Sequence, residues 1–525
     1  MNFVIGSGPA GVAAAASLLA RGERVTLLDA GGQLEPDIQS RIEYLGGRHP
    51  EAWSASDREG LKGPLRYNTE RAPLKLAFGS DYVYRDVERL QPVVAEGVDA
   101  YRSLATGGLS MLWGASVLPY SDADFDGWPV NAADLSRHYA AVLALTGLAA
   151  EDDALSKIYP LYISPTTRLN LSTQARFMAE RMARHSADLE GQHIHFGGAR
   201  LAISEPGGAI RSCVHCGMCL YGCPYGLIYS AQLTLHNHLA RFPGFAYVPG
   251  FVVRRVTEHG DGVTIDTVSR DTSTPRCFEA SRVYLAAGAI ASTAILLESL
   301  QAHGQPVSML QSEHFLLPMM LRRLGSRIAG ERLHTLSQLF IEILDRGISQ
   351  HGIHLQLYTY NDFYARMAKD QLGRIYPMVA PVLERLIEQV VLLKGYLHSH
   401  ESSGIRATLE PRHAGSALRL EAVAEPASDA IIRAVIKLLG RNSRRLGAFP
   451  LRVGLRKGLP GSGVHVGGSF PMRRHPVGLQ SDVLGRPAGL KRVHIVDSSV
   501  FPTIPAATIT LTIMANAHRI AAESA

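Results

Sequence analysis

The first thirty residues alternate between apolar strands and a glycine turn. Residues 2–5 form a short apolar run, residues 24–29 form a second one, and an alanine-rich stretch to about Arg21 separates them. Apolar runs of this length predict buried strands, and the alanine-rich stretch predicts a helix. The start of the chain is therefore predicted as strand, turn, helix, strand.

Two later apolar runs repeat this pattern near the middle and the end of the chain. A strand is predicted at 283–288 with a helix through Leu297, and another at 493–497 with a helix at about 510–522. Continuously apolar strands followed by helices are typical of a parallel sheet covered on both faces. We therefore predict one discontinuous α/β domain built from both ends of the chain.

The interior of the chain has a different period. Hydrophobic and polar residues alternate within 336–344, 354–360, 404–409 and 417–423. Alternation with a period of two is typical of an antiparallel sheet with one covered face. Residues of about 305–460 are predicted to form a second domain built on that sheet.

The most apolar later stretch, residues 375–397, carries charges at Glu384, Arg385, Glu388 and Lys394. These charges exclude a membrane-spanning helix. An amphipathic helix against a membrane or a partner is an alternative, so peripheral membrane contact stays open. A core helix is the favoured interpretation.

Composition excludes a disordered chain. Of 525 residues, 46% are hydrophobic and 19% are charged, and the formal net charge is +6. This balance is that of a globular chain with a large core, and length alone predicts roughly two to four domains.

Basic residues occur in short pairs rather than in a long run, so no nucleic-acid partner is expected. No basic segment precedes the first strand, which makes the cytoplasm the default location, with export on a signal-bearing partner as the alternative.

Three glycines follow the first predicted strand and open the first helix. Gly6, Gly8 and Gly11 have the G-x-G-x-x-G spacing, and Asp29 ends the second strand. Such glycines allow a tight turn and close approach of backbone N–H groups to a pyrophosphate, while the carboxylate can accept hydrogen bonds from ribose hydroxyls. This context predicts a dinucleotide site, although it does not separate FAD from NAD.

Four of the five cysteines are clustered. Cys213, Cys216, Cys219 and Cys223, followed by proline, have the C-x₂-C-x₂-C-x₃-C-P spacing of bacterial ferredoxins. An iron–sulfur cluster is favoured, and zinc on four thiolates is the main alternative. Because only Cys277 remains, a second cluster cannot be built. Either all four cysteines hold a four-iron cluster, which is favoured, or three hold a three-iron cluster, with Cys277 a weak candidate for a remote ligand.

Together with the glycine loop, four further segments resemble those of the glucose–methanol–choline (GMC) oxidoreductases. They are residues 105–114 with 124–129, residues 285–289, residues 465–472, and residues 497–503 with 508–512. The segments occur in the family's order and span residues 3–520, although the sheet domain matches poorly. The resemblance implies FAD as the dinucleotide and a two-domain fold.

On this resemblance the chain is expected to have an α/β fold, α+β overall, with a discontinuous Rossmann-like FAD-binding domain and an antiparallel-sheet substrate domain. The FAD-binding domain is expected to comprise residues 1–150, 195–305 and 460–525, including a cysteine-rich segment at 211–226. The substrate domain is expected to comprise residues 150–195 and 305–460.

The resemblance also implies the site residues. His465 matches the family's active-site base, which removes the hydroxyl proton while hydride leaves for the flavin. Thr508 stands where the family usually has histidine or asparagine. Threonine can orient a hydroxyl but cannot act as a base near pH 7, and simple packing or an FAD contact is its alternative role. The residues expected to bind the cofactor are Gly6, Gly8, Gly11, Asp29, Gly107, Gly108, Ser110, Trp113, Val253, Ala287, Gly288, Asp497 and Ser498.

The segment from Cys219 to Pro224 resembles the last two cluster ligands of a GMC subgroup that includes bacterial FAD-dependent glucose dehydrogenases. Reduced FAD holds two electrons and many acceptors take one. A nearby cluster therefore favours a dehydrogenase that passes electrons singly to a cytochrome or similar protein. The expected reaction is oxidation of a hydroxyl group on a sugar, polyol or related alcohol.

Two alternatives belong to other classes of protein. A non-dehydrogenating flavoenzyme, an isomerase or reductase acting on a lipid or terpenoid, would account for Thr508 and for the apolar segment 375–397. An electron-relay subunit with a structural metal site would leave His465 without a catalytic role.

Overall fold

The computed structural model describes the chain in five stretches. They are residues 1–69, 72–203, 212–322, 328–413 and 415–524. Parts of the predicted domains, including residue 211 of the cysteine-rich segment and the terminal residue 525, lie outside these stretches.

The elements are numbered in chain order. The strands are β1 (Asn2–Ile5), β2 (Val25–Leu28), β3 (Arg66–Thr69), β4 (Ala72–Leu74), β5 (Val93–Glu96), β6 (Ile194–Gly198), β7 (Phe245–Val248), β8 (Phe251–His259), β9 (Gly262–Ser269), β10 (Pro275–Ala280), β11 (Arg282–Leu285), β12 (Pro306–Gln311), β13 (His314–Leu321), β14 (Leu339–Ile343), β15 (Ile353–Tyr358), β16 (Val390–Tyr396), β17 (Gly404–Arg412), β18 (Gly415–Val423), β19 (Ala448–Pro450), β20 (Arg456–Lys457), β21 (Val466–Gly467) and β22 (Val493–Ile495). The α-helices are α1 (Pro9–Ala20), α2 (Pro36–Gly46), α3 (Ala55–Lys62), α4 (Val87–Leu90), α5 (Ala132–Thr146), α6 (Thr173–Arg184), α7 (Ser186–Glu190), α8 (Ala231–Asn237), α9 (Ala289–Ser299), α10 (Asp362–Leu372), α11 (Tyr376–Ile387), α12 (Ala427–Arg441), α13 (Ser443–Leu446) and α14 (Thr510–Glu523).

A five-stranded parallel sheet joins the two ends of the chain. Its order is β22-β11-β1-β2-β7, and in its centre Phe3 lies opposite Val283 on one side and Thr26 on the other. The four strands predicted for this sheet are confirmed, because β1, β2, β11 and β22 all pair in parallel. Strand β7, which was not predicted, forms one edge. The fold is α/β with additional antiparallel sheets, as predicted.

Helix α1 holds the glycine loop at the carboxyl end of β1, the central strand of the parallel sheet. It begins at Pro9, whose missing N–H costs nothing in the first turn of a helix. Ala13, Ala14 and Ala15 are fully buried, since small side chains let α1 lie close to both the sheet and α14. The loop is thereby held at the carboxyl ends of the parallel strands, where such sheets bind ligands.

The interior strands form two sheets, and the prediction of a single sheet for 305–460 is wrong. One sheet has the order β19-β13-β16-β15-β14-β6 with β20 also paired to β13, and the other has the order β21-β12-β17-β18-β5. Strand β16 has β13 on one edge and β15 on the other, so it has no free edge for β17, which pairs with β12 instead. Strand β6 spans the predicted domain boundary at 195 and pairs with β14.

The apolar stretch 375–397 divides into a helix and a strand, so the predicted core helix is wrong. Helix α11 ends at Ile387, and the later residues form β16 inside the seven-stranded sheet, where pairing on both edges favours a strand. No residue of α11 is buried, and Met378 is 83% exposed. Within the described stretches, no helix has the length and apolarity needed to cross a bilayer.

Candidate active site

A cavity of about 1010 Å³ lies between the parallel sheet and the seven-stranded sheet. Its volume suits a large ligand. One wall is formed by the carboxyl ends of β1, β2 and β11, and the other by β13, β15 and β16. The predicted site residues that line it are Gly6, Gly8, Asp29, Gly108, Ser110, Trp113, Val253, Ala287, Gly288, His465, Asp497, Ser498 and Thr508. The other two predicted cofactor residues, Gly11 and Gly107, lie outside its lining.

The glycine loop leaves no room for side chains on its protein side. Gly6 has φ +101°, and a Cβ there would lie 2.5 Å from the carbonyl oxygen of Ala286. A Cβ on Gly11 would lie 1.9 Å from the carbonyl oxygen of Gly6, whereas a Cβ on Gly8 would meet no protein atom within 4 Å. Gly6 and Gly11 are therefore required for packing, and Gly8 faces the open cavity.

We expect Gly8→Ala and Gly11→Ala to fail in different ways. In G11A the new Cβ meets backbone, so Tm falls with or without added flavin. In G8A no protein atom obstructs the Cβ, so the Tm of the apoprotein is unchanged while FAD affinity falls by about tenfold or more. Thermal unfolding and fluorescence titration with FAD measure these effects, and unchanged FAD affinity in G8A would contradict a dinucleotide at this loop.

Asp29 directly follows β2 and is held by hydrogen bonds from the surrounding segments. Its carboxylate accepts bonds from the hydroxyl of Ser7 (2.8 Å), the N–H of Gly31 (3.1 Å) and the hydroxyl of Tyr247 (3.1 Å). Burial raises the pKa of Asp29, and these bonds oppose the rise. Ser7, which the sequence did not single out, also accepts a bond from the N–H of Gly107 (2.9 Å). It thereby joins the first loop to the segment that holds Gly107.

The side chains of Ser110 and Trp113 are engaged with the protein. The Ser110 hydroxyl donates to the Gly107 carbonyl (2.6 Å) and accepts from the N–H of Ala231 (2.9 Å). The Trp113 indole donates to the carbonyl of Tyr229 (2.7 Å). Both residues therefore shape the cavity wall rather than offer free polar groups to a ligand.

Asp497 joins the end of β22 to the start of α9. Its carboxylate accepts bonds from the N–H of Gly288 (3.0 Å) and the hydroxyl of Ser292 (2.5 Å). Burial raises the pKa of Asp497, and these bonds oppose the rise. The hydroxyl of the adjacent Ser498 donates to a backbone carbonyl of β21 (2.6 Å), so this turn also positions the histidine segment.

His465 is positioned by the turn that precedes β21. Val464 has φ +61°, in the left-handed region, and the N–H of Ser312 donates to the His465 carbonyl (3.0 Å). The imidazole stacks on Tyr396 with ring centroids 4.7 Å apart. Its Nδ1 is buried and has no hydrogen-bond partner among the described residues. Because this nitrogen is enclosed by protein, it is the rest of the half-buried imidazole that faces the cavity.

The cavity keeps the His465 side chain neutral. Burial, with smaller contributions from Lys394 and His354, lowers the pKa of His465 to about 3. Burial also lowers the pKa of Lys394, whose ammonium lies 5.1 Å from the centre of the Tyr396 ring. The sequence led us to expect titration near neutral pH, whereas the folded protein holds a neutral imidazole there, which can accept a proton.

Thr508 lines the cavity, and its hydroxyl already has one partner. Its Oγ1 accepts a hydrogen bond from the N–H of Leu118 (3.0 Å). A threonine hydroxyl keeps a proton to donate and a second lone pair, so Thr508 can still orient a ligand oxygen. Both of its predicted roles, orientation and packing, are compatible with this placement.

Several polar cavity residues were missed by the sequence analysis. They are Lys75, Gln356, Tyr358, Asn361 and Lys394. The Tyr358 hydroxyl donates to the Gln356 side-chain oxygen (2.8 Å), and the Lys75 ammonium donates to the Trp113 carbonyl (3.2 Å). A lone lysine inside an apolar strand, as in β16, is the sequence signal that could have found Lys394.

The clustered cysteines lie behind the cavity wall. Cys219 and Cys223 line a second cavity of about 760 Å³, which shares Lys75, Ser110 and Trp113 with the first. Burial lowers the pKa of Lys75 to about 8, and the nearby Cys219 opposes this shift. The cavity lined by Cys219 and Cys223 thus shares part of its wall with the candidate active site.

Backbone N–H groups are directed at the cysteine sulfurs. The N–H of Thr335 bonds to the sulfur of Cys219, and the N–H groups of residues 225–228 bond to that of Cys223. Burial raises the pKa of both thiols, and these bonds oppose the rise. Donors to sulfur stabilise thiolates that bind metal, so the segment fits a metal-bound state.

The four cysteines are not among the side-chain groups that are close enough together, in the described stretches, to hold a metal ion. In the part of the chain that the structure describes, no three of the cysteine sulfurs lie within 4.8 Å of one another. Four sulfurs held about 2.3 Å from one zinc ion would lie about 3.8 Å apart. Cys277 lies in β10 and is exposed on a separate three-stranded sheet.

No protein-family model matches the chain, and no curated protein matches it significantly. Solved structures do match. The crystal structure of pyridoxine 4-oxidase from Mesorbium loti superposes with a TM-score of 0.58 and 17% sequence identity, over 99% of this chain and 98% of that chain. At this identity the match establishes the fold, and its coverage shows that the likeness extends over the full length of both chains.

Proposed function

We propose that the protein is a GMC-type, FAD-dependent dehydrogenase that oxidises a hydroxyl group of a sugar, polyol or related alcohol. The observation that carries this proposal is that the dinucleotide loop and His465 line the same cavity. The motifs that resemble the GMC family in order along the chain support the same reaction class. A protein of the same fold over its full length is by its name an oxidase, which agrees with redox chemistry here.

The loop fits FAD, and His465 fits the role of base. Gly8 faces the cavity with room for a ligand at its Cα, beside Asp29. When bound, FAD supplies the hydride acceptor. His465 accepts the hydroxyl proton as a neutral imidazole, on the part of the ring that faces the cavity.

The wall opposite the loop suits a substrate with several hydroxyl groups. Gln356 and Tyr358 are hydrogen-bonded to each other, and Asn361 accepts a bond at the start of α10. Each keeps further donor or acceptor capacity, and Lys394 adds a donor beside His465. Thr508 is placed to orient the reacting oxygen. The preference for a sugar over a simple alcohol rests on this polar wall and on the resemblance to the glucose dehydrogenase subgroup.

We further propose that Cys213, Cys216, Cys219 and Cys223 hold a four-iron cluster that serves a one-electron acceptor protein. The ferredoxin-like spacing supports this over zinc, and the N–H groups directed at sulfur fit thiolates that bind either metal. A cluster held there would supply one-electron transfer. The shared wall at Trp113 gives electrons a short route from the cavity.

The proposal is tested by measuring iron, acid-labile sulfide and zinc per FAD in anaerobically purified protein, and then screening sugars and alcohols with one-electron dyes. About four irons and four sulfides per flavin, with substrate-dependent dye reduction, are expected. One zinc without sulfide would overturn the relay. Absence of dye reduction with every hydroxyl compound would favour the isomerase or reductase alternative.

The acidic limb of the pH profile of kcat/KM should lie well below pH 6.5, because the pKa of the catalytic histidine is lowered. Only the neutral imidazole is a base, and the pKa of His465 lies at about 3. Activity should therefore stay level from neutral pH down to about pH 5 and fall only towards pH 4 and below. Stopped-flow pH jumps allow this measurement before any acid unfolding, and an acidic limb near 6.5 would contradict the expectation.

Lys394→Met should move that acidic limb to higher pH. The Lys394 charge lowers the pKa of His465, so its removal makes the imidazole easier to protonate. Lys75→Met is the matched control, since Lys75 lines the same cavity but is not among the groups that shift His465. If the acidic limb lies at the same pH in both variants, the charge of Lys394 does not act on His465.

A further inference from the structure

Three histidines outside the cavity meet at one end of the seven-stranded sheet. His351 precedes β15, and His398 and His400 follow β16. These strands run antiparallel, with His354 opposite Tyr396. Continuing this register past the strand ends places His351 opposite the turn between His398 and His400. The sheet itself therefore brings the three side chains together.

The three imidazoles lie within contact of one another. The ring centroids of His351 and His398 are 3.7 Å apart with the planes at 12°, and those of His398 and His400 are 4.7 Å apart. One ring nitrogen from each residue lies within 4.8 Å of those of the other two. Three ring nitrogens this close together can serve a single metal ion, which imidazole ligates in its neutral form.

Hydrogen bonds hold the two histidine-bearing turns in place. Glu401 accepts bonds from the hydroxyl of Ser349 (2.6 Å) and the N–H of Gln350 (3.0 Å), which joins one turn to the other. Ser399 exchanges two bonds with Ile504, through its N–H (2.8 Å) and its hydroxyl (2.9 Å). The two turns are therefore held together, and the Glu401 carboxylate adds negative charge that favours a cation. Because the rings of His351 and His398 are stacked, one of them turns about its side-chain torsions when both ligate the same ion.

His398, the buried member, already presents a lone pair at Nδ1. This nitrogen accepts a bond from the backbone N–H of His400 (3.1 Å). A metal ion at Nδ1 would replace this one bond. Because His400 is exposed, its amide can bond water instead.

We propose that His351, His398 and His400 bind a divalent cation of borderline softness, such as zinc, with the fourth position open to water. Three imidazoles are a donor set that zinc accepts, and nickel and copper bind the same donors. None of the three residues lines the active-site cavity. The ion therefore joins the turn before β15 to the turn after β16 and takes no part in hydroxyl oxidation.

The test is a zinc titration by calorimetry on untagged, full-length protein loaded with flavin and iron. One zinc site per chain with micromolar or tighter affinity is expected. His351→Gln and His400→Gln should each weaken it by about tenfold or more, while His475→Gln, at an exposed histidine outside the cluster, should not. Zinc bound by free cysteines would survive the histidine substitutions, so failure of the iron–sulfur proposal and failure of this one give different titrations.

Thermal unfolding provides a second readout. Saturating zinc should raise the Tm of the wild type and of H475Q but not that of the H351Q/H400Q double variant, because only a ligand of the folded state stabilises it. Wild-type flavin content in the double variant shows that it folds. Equal zinc affinity in the wild type and the double variant would overturn the proposal.

Discussion

His465→Asn is expected to lower kcat for hydroxyl oxidation by about 100- to 10,000-fold, the usual contribution of a general base. We assign the role of base to His465, which lines the cavity and is held as a neutral imidazole by burial. Asparagine keeps a polar side chain there but cannot take the proton. The loss should appear in the rate at which substrate reduces the flavin, measured by anaerobic stopped-flow absorbance, while flavin content stays at the wild-type level.

His475→Asn is the matched control, since His475 is an exposed histidine in the same region of the chain. It should reduce flavin at the wild-type rate. If H465N does so as well, the protein is not a dehydrogenase that uses this base, and the electron-relay alternative gains support. If wild type shows no flavin reduction with any hydroxyl compound, the non-dehydrogenating flavoenzyme is favoured instead.

Cys219→Ser is expected to remove most of the iron and to abolish reduction of one-electron acceptors, while substrate still reduces the flavin. Cys219 lines the second cavity close to Lys75 and receives the N–H of Thr335 at its sulfur. Serine offers a harder oxygen donor that suits iron–sulfur ligation poorly. Iron analysis, low-temperature electron paramagnetic resonance and the two half-reactions measured separately check this result.

Cys277→Ser supplies the control for the loss of a thiol. Cys277 is exposed on β10, away from the other cysteines. Iron content and dye reduction should be unchanged in this variant. Loss of iron in C277S would identify Cys277 as a remote ligand, and full dye reduction in C219S would show that electrons leave the flavin by another route.

The parallel sheet could be predicted because its signal is local. Strands β1, β2 and β22 are buried along their whole length, so most of their positions are apolar whatever strand lies beside them. The glycine loop is equally local, because Gly11 must clear the carbonyl of Gly6 only five residues away. The motif residues of the candidate site follow from such short segments.

The polar wall of the site could not be predicted in the same way. Lys394 reaches the cavity because β16 lies in the middle of the seven-stranded sheet. That placement required the stretch 375–397 to divide between α11 and a strand, and the apolar pattern of the stretch is compatible with either state. The depressed pKa of His465 likewise results from burial by distant segments.

The sequence by itself determined the parallel strands, the dinucleotide loop, the candidate base His465 and the spacing of the clustered cysteines. Only the tertiary structure decided which sheet β17 joins, that Lys394 lines the cavity with His465, and that His351 lies beside His398 and His400. The physical reason is the range of the interactions. Burial of an apolar run and the turn of a glycine loop act over a few neighbouring residues, whereas strand pairing, desolvation and side-chain clustering depend on which distant segments have a free edge or face to offer.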